Sequence, residues 1–243
     1  MDYKDFLSGK TEETFYFKAK NRLINIIMKK IKKKIFKNND EKFKILNLGV
    51  GMGNDLKIFK KYGENYIIDI NDKALNQIDK RLYTEKKKED ACNLSYKDNF
   101  FDIVVALGVL EHVKEDNKLI NEAYRTLKTG GVFVFEVPCH QFLFSSHDVA
   151  LEHYRRYSNK RIIKLLARFN NLEIFYWNFL LFIPVMIMRI FRKKSEPKVD
   201  NMKVPRFIDN ILYYILNFEN NLIKSNIKVP TGIGLIGYCQ KPL

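Results

Sequence analysis

The chain is poor in cysteine, and its few cysteines lie far apart. Cys92, Cys139 and Cys239 form no C-x-x-C pair in the 243 residues. Both a small disulfide-stabilised scaffold and a structural zinc site need more cysteines at closer spacing. The sequence therefore excludes these two classes and is typical of a protein kept in a reducing cytoplasm.

The sequence shows no internal repeat and no linker rich in glycine, serine or proline, and we expect no secretory signal. Residues 1–20 are polar and charged, whereas a signal peptide has a basic start followed by an apolar run. A length of 243 residues is enough for one domain with a large buried core. We therefore expect a single domain over residues 1–243 and a cytoplasmic location.

Acidic residues are too few to balance the basic ones. The 43 lysines and arginines face 28 aspartates and glutamates, for a net charge of +15. Lysines are concentrated at 29–37, in a stretch where Leu23, Ile27, Ile31 and Ile35 recur at every fourth position. This pattern predicts an amphipathic helix over 12–36, within an N-terminal helical cap at 1–40. Its basic face is either solvated or attracted to nucleic acid or anionic lipid.

Three glycines follow a strongly apolar run. Residues 45–54 read Ile-Leu-Asn-Leu-Gly-Val-Gly-Met-Gly-Asn. A buried parallel strand that ends in glycines and opens a helix forms a nucleotide crevice, because the backbone can approach a ligand without a Cβ in the way. A dinucleotide fingerprint would need glycine at position 54, which is Asn54. The spacing of Gly49, Gly51 and Gly53 therefore points to a different nucleoside cofactor.

Acidic residues lie at the ends of the next two predicted strands. Asp69 lies near the end of the second strand, about 20 residues after Gly49, where a carboxylate can accept hydrogen bonds from both ribose hydroxyls. Glu89 and Asp90 lie at the end of the third predicted strand. Asp69 indicates a ribose but does not by itself distinguish between nucleoside cofactors.

The motifs in this order resemble those of class I S-adenosylmethionine (SAM) dependent methyltransferases of the type 11 group. Residues 98–106 are close to the family's fourth strand, and residues 108–113 resemble its "vLEHv" motif. The resemblance implies SAM as the cofactor and a Rossmann-like, doubly wound α/β fold with a mainly parallel seven-stranded sheet and helices on both faces. The cofactor-binding residues that it implies are Asn47, Gly49, Gly51, Gly53, Asp69, Ile70, Asp90, Ala91, Leu107 and Gly108. Asn47 departs from the acid usual in the family, which predicts weaker cofactor binding.

The periodicity of the chain is consistent with this fold. The predicted strands are 43–48, 65–70, 86–90, 102–107, 131–137, 172–177 and 233–239. The predicted helices between them are 54–62, 72–82, 117–128 and 158–168. Alternating strands and helices predict a mainly parallel sheet. Residues 128–131, Lys-Thr-Gly-Gly, are predicted to end a helix.

All four histidines lie at predicted strand ends or in loops. Methyl transfer is an in-line displacement, and an oxygen or nitrogen nucleophile can need a nearby base. We therefore take His112, His147 and His153 as candidate catalytic residues, although each could instead form only structural hydrogen bonds. The candidate acceptor contacts are His140, Asp148, Tyr154 and Arg156. His147, Asp148 and His153 could also bind a metal ion, but the extra acids typical of metal-dependent methyltransferases are not found in the sequence. No metal is therefore predicted.

Residues 143–158 and 14–24 resemble a methyltransferase subgroup that accompanies glycosyltransferases. This resemblance implies a small-molecule, glycan or lipid-linked acceptor and O-methylation. A nucleic-acid methyltransferase is the alternative that the charge suggests, but no dedicated nucleic-acid module is present, and residues 107–110 do not form the D/N/S-P-P-Y/F tetrapeptide of base-modifying enzymes. A catalytically silent SAM-fold scaffold is a third possibility, suggested by Asn47.

An unusual segment precedes the last strand. Residues 179–187 are nearly all apolar but contain Pro184, and basic residues follow from Arg189 onward. A membrane-spanning helix needs about 20 apolar residues, so an interfacial helix fits better. We expect a helical insertion at 178–230 whose residues 178–225 contact the inner face of the membrane peripherally. Packing on the domain edge or against a partner is the alternative.

Overall fold

Seven strands form one sheet in the order β3-β2-β1-β4-β5-β7-β6. The computed structural model describes residues 14–37, 41–193, 196 and 204–243. The strands are β1 Phe43–Leu48, β2 Gly63–Asp69, β3 Glu85–Lys88, β4 Phe101–Leu107, β5 Leu127–Pro138, β6 Asn170–Trp177 and β7 Gly234–Gln240. The first five strands pair in parallel, and β7 runs antiparallel to both β5 and β6. The predicted mainly parallel sheet is confirmed, with an antiparallel end.

Helices cover both faces of the sheet. They are α1 Phe15–Lys34, α2 Leu56–Phe59, α3 Asp72–Leu75, α4 Asp116–Thr126, α5 Ser146–Ala150, α6 Asn159–Leu165, α7 Phe182–Phe191 and α8 Arg206–Lys224. On one face, Ile27 of α1 and Leu216 of α8 share a buried core with Ile103. On the other face, Leu119 of α4 and Ile162 of α6 pack with Val104. Successive β4 residues therefore bury their side chains in opposite layers, as the twofold strand period requires.

Several element boundaries differ from the prediction. The expected helix at 72–82 is split into α3 and a 3₁₀ turn, Lys80–Leu82, because the Asp79 side chain accepts a hydrogen bond from the Arg81 amide. Residues 128–131 belong to the start of β5 and do not end a helix. There Leu127 pairs with Phe101 of β4 before the register shifts. The prediction of a glycine-terminated helix at this point was wrong, because pairing with a distant strand outweighed the local glycine signal.

The sheet order changes direction between β1 and β4, which opens a crevice at their carboxyl ends. The loops after these strands touch, since a Cβ added at Gly49 would lie 2.8 Å from Val109 Cγ2. Ligands of open α/β sheets bind at such a switch point. The sheet topology therefore brings the glycine loop and the 108–113 loop together at one site.

Parts of two predicted segments fall outside the described residues. These are residues 1–13 and 38–40 of the N-terminal cap, and residues 194–195 and 197–203 of the insertion. The described remainder of the insertion contains α7 and α8. Within the part of the chain that the structure describes, no helix combines the length and apolar character that crossing a membrane requires.

Candidate active site

A cavity of about 1260 Å³ lies at the crevice. Its walls come from α1, from the loops after β1, β2 and β4, from residues 147–156 and from α7. Sites for one small ligand typically have about 300–1,000 Å³. The cavity is therefore large enough for a nucleoside cofactor together with an acceptor.

The nucleoside end is built mainly from backbone at strand ends. Gly49 and Gly51 have φ angles of +56° and +53°, which side-chain-bearing residues rarely adopt. Asp69 at the end of β2 accepts one hydrogen bond from the Gly51 amide and another from the Asn71 amide, each at 2.8 Å. A carboxylate has about four lone-pair sites, so Asp69 can fix the loop and still accept ribose hydroxyls.

Most of the predicted cofactor residues line this cavity. They are Gly49, Gly51, Asp69, Ile70, Asp90, Ala91, Leu107 and Gly108. The Ile70 side chain is 71% exposed and offers an apolar face to a purine base. Together with the side-chain-free glycine loop and the Asp69 carboxylate, it gives a surface that fits SAM.

Two predicted cofactor residues do not line the cavity. Gly53 turns the chain against Leu56 and Ile78. Asn47 is buried, and its amide nitrogen lies 3.4 Å from both Asn65 Oδ1 and the Tyr66 carbonyl. The placement of Asn47 differs from the expected direct cofactor contact because its side chain lies among groups of β2.

The cavity wall contains a buried ion pair that was not predicted from the sequence. Lys20 of α1 lies 2.5 Å from Glu136 of β5, and both side chains are almost fully buried. Burial alone would lower the pKa of Lys20, but the nearby negative groups, Glu136 first and then Asp55, together outweigh burial and raise that pKa. The available signal was a glutamate inside the otherwise apolar run 132–137.

Three polar side chains converge on the other side of the cavity. The ligand-type atoms of Glu111, His112 and His153 all lie within 4.8 Å of one another. The two imidazole rings meet edge to face, with centroids 4.6 Å apart. Such a compact group could also accommodate a cation, so the predicted absence of a metal stays a prediction.

Glu111 has the electrostatics of a proton acceptor. Its side chain is buried, and its Oε2 atom has no hydrogen-bond partner among the described residues. Burial raises the pKa of Glu111 from 4.5 to about 7, although the nearby His153 opposes the shift. Sequence reasoning selected the neighbouring His112 and missed Glu111, because burial is not visible in the motif.

Asp148 organises the residues around His153. Asp148 is fully buried, and its Oδ1 atom lies 3.0 Å from His153 Nδ1. Arg156 donates to the same oxygen and Arg189 to the other, both at 2.8 Å. Burial by itself would raise the pKa of Asp148, but the His153 hydrogen bond and the two guanidinium groups hold it well below its usual range. An ionised Asp148 favours an Nδ1–H tautomer of His153, because it accepts a hydrogen bond from that nitrogen.

The predicted acceptor contacts divide into two groups. Tyr154 and Arg156 line the cavity, as do the catalytic candidates His112, His147 and His153. Asp148 and His140 do not, which corrects their expected direct contact with an acceptor. Asp148 is enclosed by its ion pairs, and the Nε2 atom of His140 lies 2.8 Å from Thr231 Oγ1.

Arg156 makes mainly internal contacts although it borders the cavity. Its guanidinium donates to the Cys139 and Ile233 carbonyl oxygens as well as to Asp148. These bonds satisfy most of its donors, so its main role is to hold the wall of the cavity. The Tyr154 amide donates to the Glu111 carbonyl at 2.8 Å and joins this wall to the loop after β4.

Part of the chain is similar to known proteins. Residues 46–135 match the family model described as a methyltransferase domain. An uncharacterized protein of Methanocaldococcus jannaschii is 32% identical over 116 residues, which are 47% of this chain and 46% of that protein. The ubiquinone/menaquinone biosynthesis C-methyltransferase UbiE of Zymomonas mobilis is 31% identical over 128 residues, 50% of this chain and 51% of UbiE. The chain thus spans about half the length of these relatives.

The fold has solved counterparts. The structure of Haemonchus contortus phosphoethanolamine N-methyltransferase 2, in complex with phosphomonomethylethanolamine and S-adenosylhomocysteine, matches with a TM-score of 0.60 and 18% sequence identity. The match covers 100% of this chain and 61% of that chain, and it supports the fold alone. Residues 46–135 are therefore similar to a methyltransferase domain, and the chain has the fold of a solved methyltransferase.

Proposed function

We propose that the protein transfers a methyl group from SAM to a hydroxyl group of a glycan or glycolipid acceptor. The observation that carries this proposal is the buried Glu111 carboxyl beside His153, in the same cavity as the glycine loop and Asp69. SAM, when bound, supplies a methyl group on a positively charged sulfur. Gly49, Gly51 and Asp69 would hold its nucleoside part.

Glu111 is the group that accepts the proton that an alcohol loses when its oxygen is methylated. A base works best when its pKa lies near the operating pH, and the pKa of Glu111 is about 7. His153, held through Nδ1 by Asp148, presents a defined imidazole that can hydrogen-bond the same hydroxyl. We assign proton removal to Glu111 and orientation of the acceptor oxygen to His153.

The lining of the cavity supports a sugar as the acceptor. Polar groups of His112, His147 and Tyr154 line the same cavity as Glu111. The aromatic side chains of Tyr16 and Trp177 also border the cavity, and their rings lie 5.2 Å apart. Aromatic faces beside a few polar groups suit a ring that has both apolar faces and hydroxyls. The resemblance of residues 143–158 to a glycan-associated subgroup is consistent with this choice.

The test is methyl transfer from SAM carrying a labelled methyl group to matched acceptor fractions. Purified protein is incubated with a lipid-linked glycan extract or with total RNA, each with and without a chelator of divalent ions. We expect label in the glycan fraction, retained as a methylated sugar after hydrolysis and unaffected by the chelator. Label only in RNA would establish the nucleic-acid alternative. SAM binding without label in either fraction would support the scaffold alternative, and inhibition by the chelator would reverse the prediction of no metal.

A further inference from the structure

Helix α7 has two apolar faces of different purpose. Val185 and Met188 line the cavity, and Arg189 is anchored to the buried Asp148. The opposite side consists of apolar residues that are exposed by 48–84%, here called the α7 outer face: Ile183, Ile187, Ile190 and Phe191. Their spacing of three and four residues puts them on one side of the helix. Packing in the domain explains why the inner side of α7 is apolar. It does not explain why the exposed outer side is apolar as well.

The exposed apolar surface continues beyond α7. Phe142 is 51% exposed and contacts Phe182, with ring centroids 6.5 Å apart. Helix α8 repeats the pattern with residues 42–75% exposed, the α8 outer face: Phe207, Ile208, Ile211, Tyr214 and Phe218. The buried Glu219 of α8 accepts hydrogen bonds from the Phe179 and Leu180 amides just before α7. Exposed apolar residues grouped in this way mark an interaction surface.

The surrounding charge favours one kind of partner. Arg192 and Lys193 follow α7 and Arg206 opens α8, all exposed. The whole chain carries a net charge of +15. Helices with aliphatic and aromatic residues on one side and basic residues at the edge bind anionic membrane interfaces, where apolar burial and charge attraction act together. An acidic lipid surface complements both features at once.

We propose that the outer faces of α7 and α8 dock on the surface of an anionic lipid bilayer. The helices would lie along the interface with Ile187, Phe191 and Phe207 entering the lipid headgroup region. Because the inner side of α7 lines the cavity, docking would bring the cavity close to the membrane. A lipid-linked acceptor could then reach Glu111 without leaving the membrane surface entirely. This last consequence rests on the proposed function, whereas the docking itself does not.

Vesicle co-sedimentation tests the docking without any assay of methyl transfer. The probes are vesicles of phosphatidylcholine alone and vesicles that also contain phosphatidylglycerol, each at low and high salt. The test variant combines Ile187→Glu with Phe191→Glu, both at exposed positions. The matched control is Ile163→Glu on α6, where the side chain is 49% exposed and does not line the cavity. Circular dichroism establishes that all three proteins are folded.

We expect the wild-type protein to sediment with the anionic vesicles at low salt, less at high salt, and little with phosphatidylcholine alone. The double variant should bind at least about tenfold more weakly, because it loses two apolar contacts and adds two like charges to those of the lipid. The Ile163→Glu control should bind like the wild type. Absence of wild-type binding, or equal binding of the double variant, would overturn the proposal. A dimer in light scattering that the double variant dissolves would assign the surface to a second copy instead.

Discussion

The two ends of the cavity are constructed in different ways. At the nucleoside end, backbone amides and glycines at the ends of adjacent strands surround Asp69. At the acceptor end, ionised side chains from distant segments converge, with Asp148 joined to both Arg156 and Arg189. The first arrangement follows from the topology of the sheet and a few local residues. The second depends on tertiary contacts, because its partners come from α5, the loop after it and α7.

The two ends should also respond differently to substitution. Asp69 borders the cavity and accepts from two neutral backbone amides, so its loss leaves no unpaired charge there. Asp148 is fully buried, and its loss would leave two guanidinium groups without their carboxylate. Removing one partner of a buried ion pair is costly, whereas changes at a hydrated site mainly affect ligand binding. Substitutions at the acceptor end should therefore change activity or stability, and those at the nucleoside end cofactor affinity.

The largest effect is expected for Glu111→Gln. The amide keeps the shape of the side chain but cannot accept the acceptor proton, so kcat should fall by about 100- to 10,000-fold. The affinity for SAM, measured by calorimetry, should stay the same. Glu115→Gln, an exposed acid on the same cavity, is the control and should keep wild-type activity. Full activity of Glu111→Gln would remove Glu111 from the proposed chemistry.

A substitution of Asp148 should act mainly on stability. Asp148→Asn removes the charge that pairs with Arg156 and Arg189, and it should lower the free energy of unfolding by about 3–5 kcal/mol. Urea denaturation followed by circular dichroism measures the change. Asp79→Asn removes an exposed ion pair with Arg81 and should leave the unfolding midpoint unchanged. Equal stability of the two variants would show that the Asp148 network is not structurally important.

At the nucleoside end, Asp69→Ala should weaken SAM binding. Loss of a charged acceptor for two ribose hydroxyls is expected to cost about 2–4 kcal/mol, or roughly 30- to 1,000-fold in affinity. Its hydrogen bond to the Gly51 amide is lost as well, which loosens the glycine loop. Calorimetry on the folded variant measures the effect. Unchanged affinity would contradict the assignment of Asp69 to the ribose.

A pH dependence distinguishes Glu111 from the rest of the cavity. Its raised pKa means that the folded protein holds the Glu111 proton more tightly than the unfolded chain does. The associated stability is fully present below 4.5 and is lost as the pH rises through about 7. The total is about 3 kcal/mol. Urea denaturation across this range should show the decline in the wild type and not in Glu111→Gln.

The rate of methyl transfer should move in the opposite direction. Ionised Glu111 is the active form, so kcat should rise with pH and level off above about 7. Glu111→Gln should lack this rise. If both proteins give the same profile, the titrating group lies elsewhere, for example on the acceptor.

Much of the nucleoside end could be predicted from the sequence. The glycine spacing and the acids after successive strands are local patterns, and parallel strands bring their carboxyl ends to one edge. Gly49, Gly51, Asp69 and Asp90 therefore lie together around the cavity as expected. Asn47 does not, because the side to which a strand residue points depends on the register of the whole sheet.

The acceptor end was predicted only as a set of residue types. The sequence determined that the loop after β4 and residues 147–156 carry histidines and charged groups. Tertiary structure decided that Asp148 is buried as an anchor, that His140 lies outside the cavity and that Glu111 has a raised pKa. Burial and ion pairing depend on groups far apart in the chain, such as Arg189, 41 residues after Asp148. Local periodicity predicts the helix or strand to which a residue belongs. Only the packed fold determines the neighbours of its side chain and thereby the charge of that side chain.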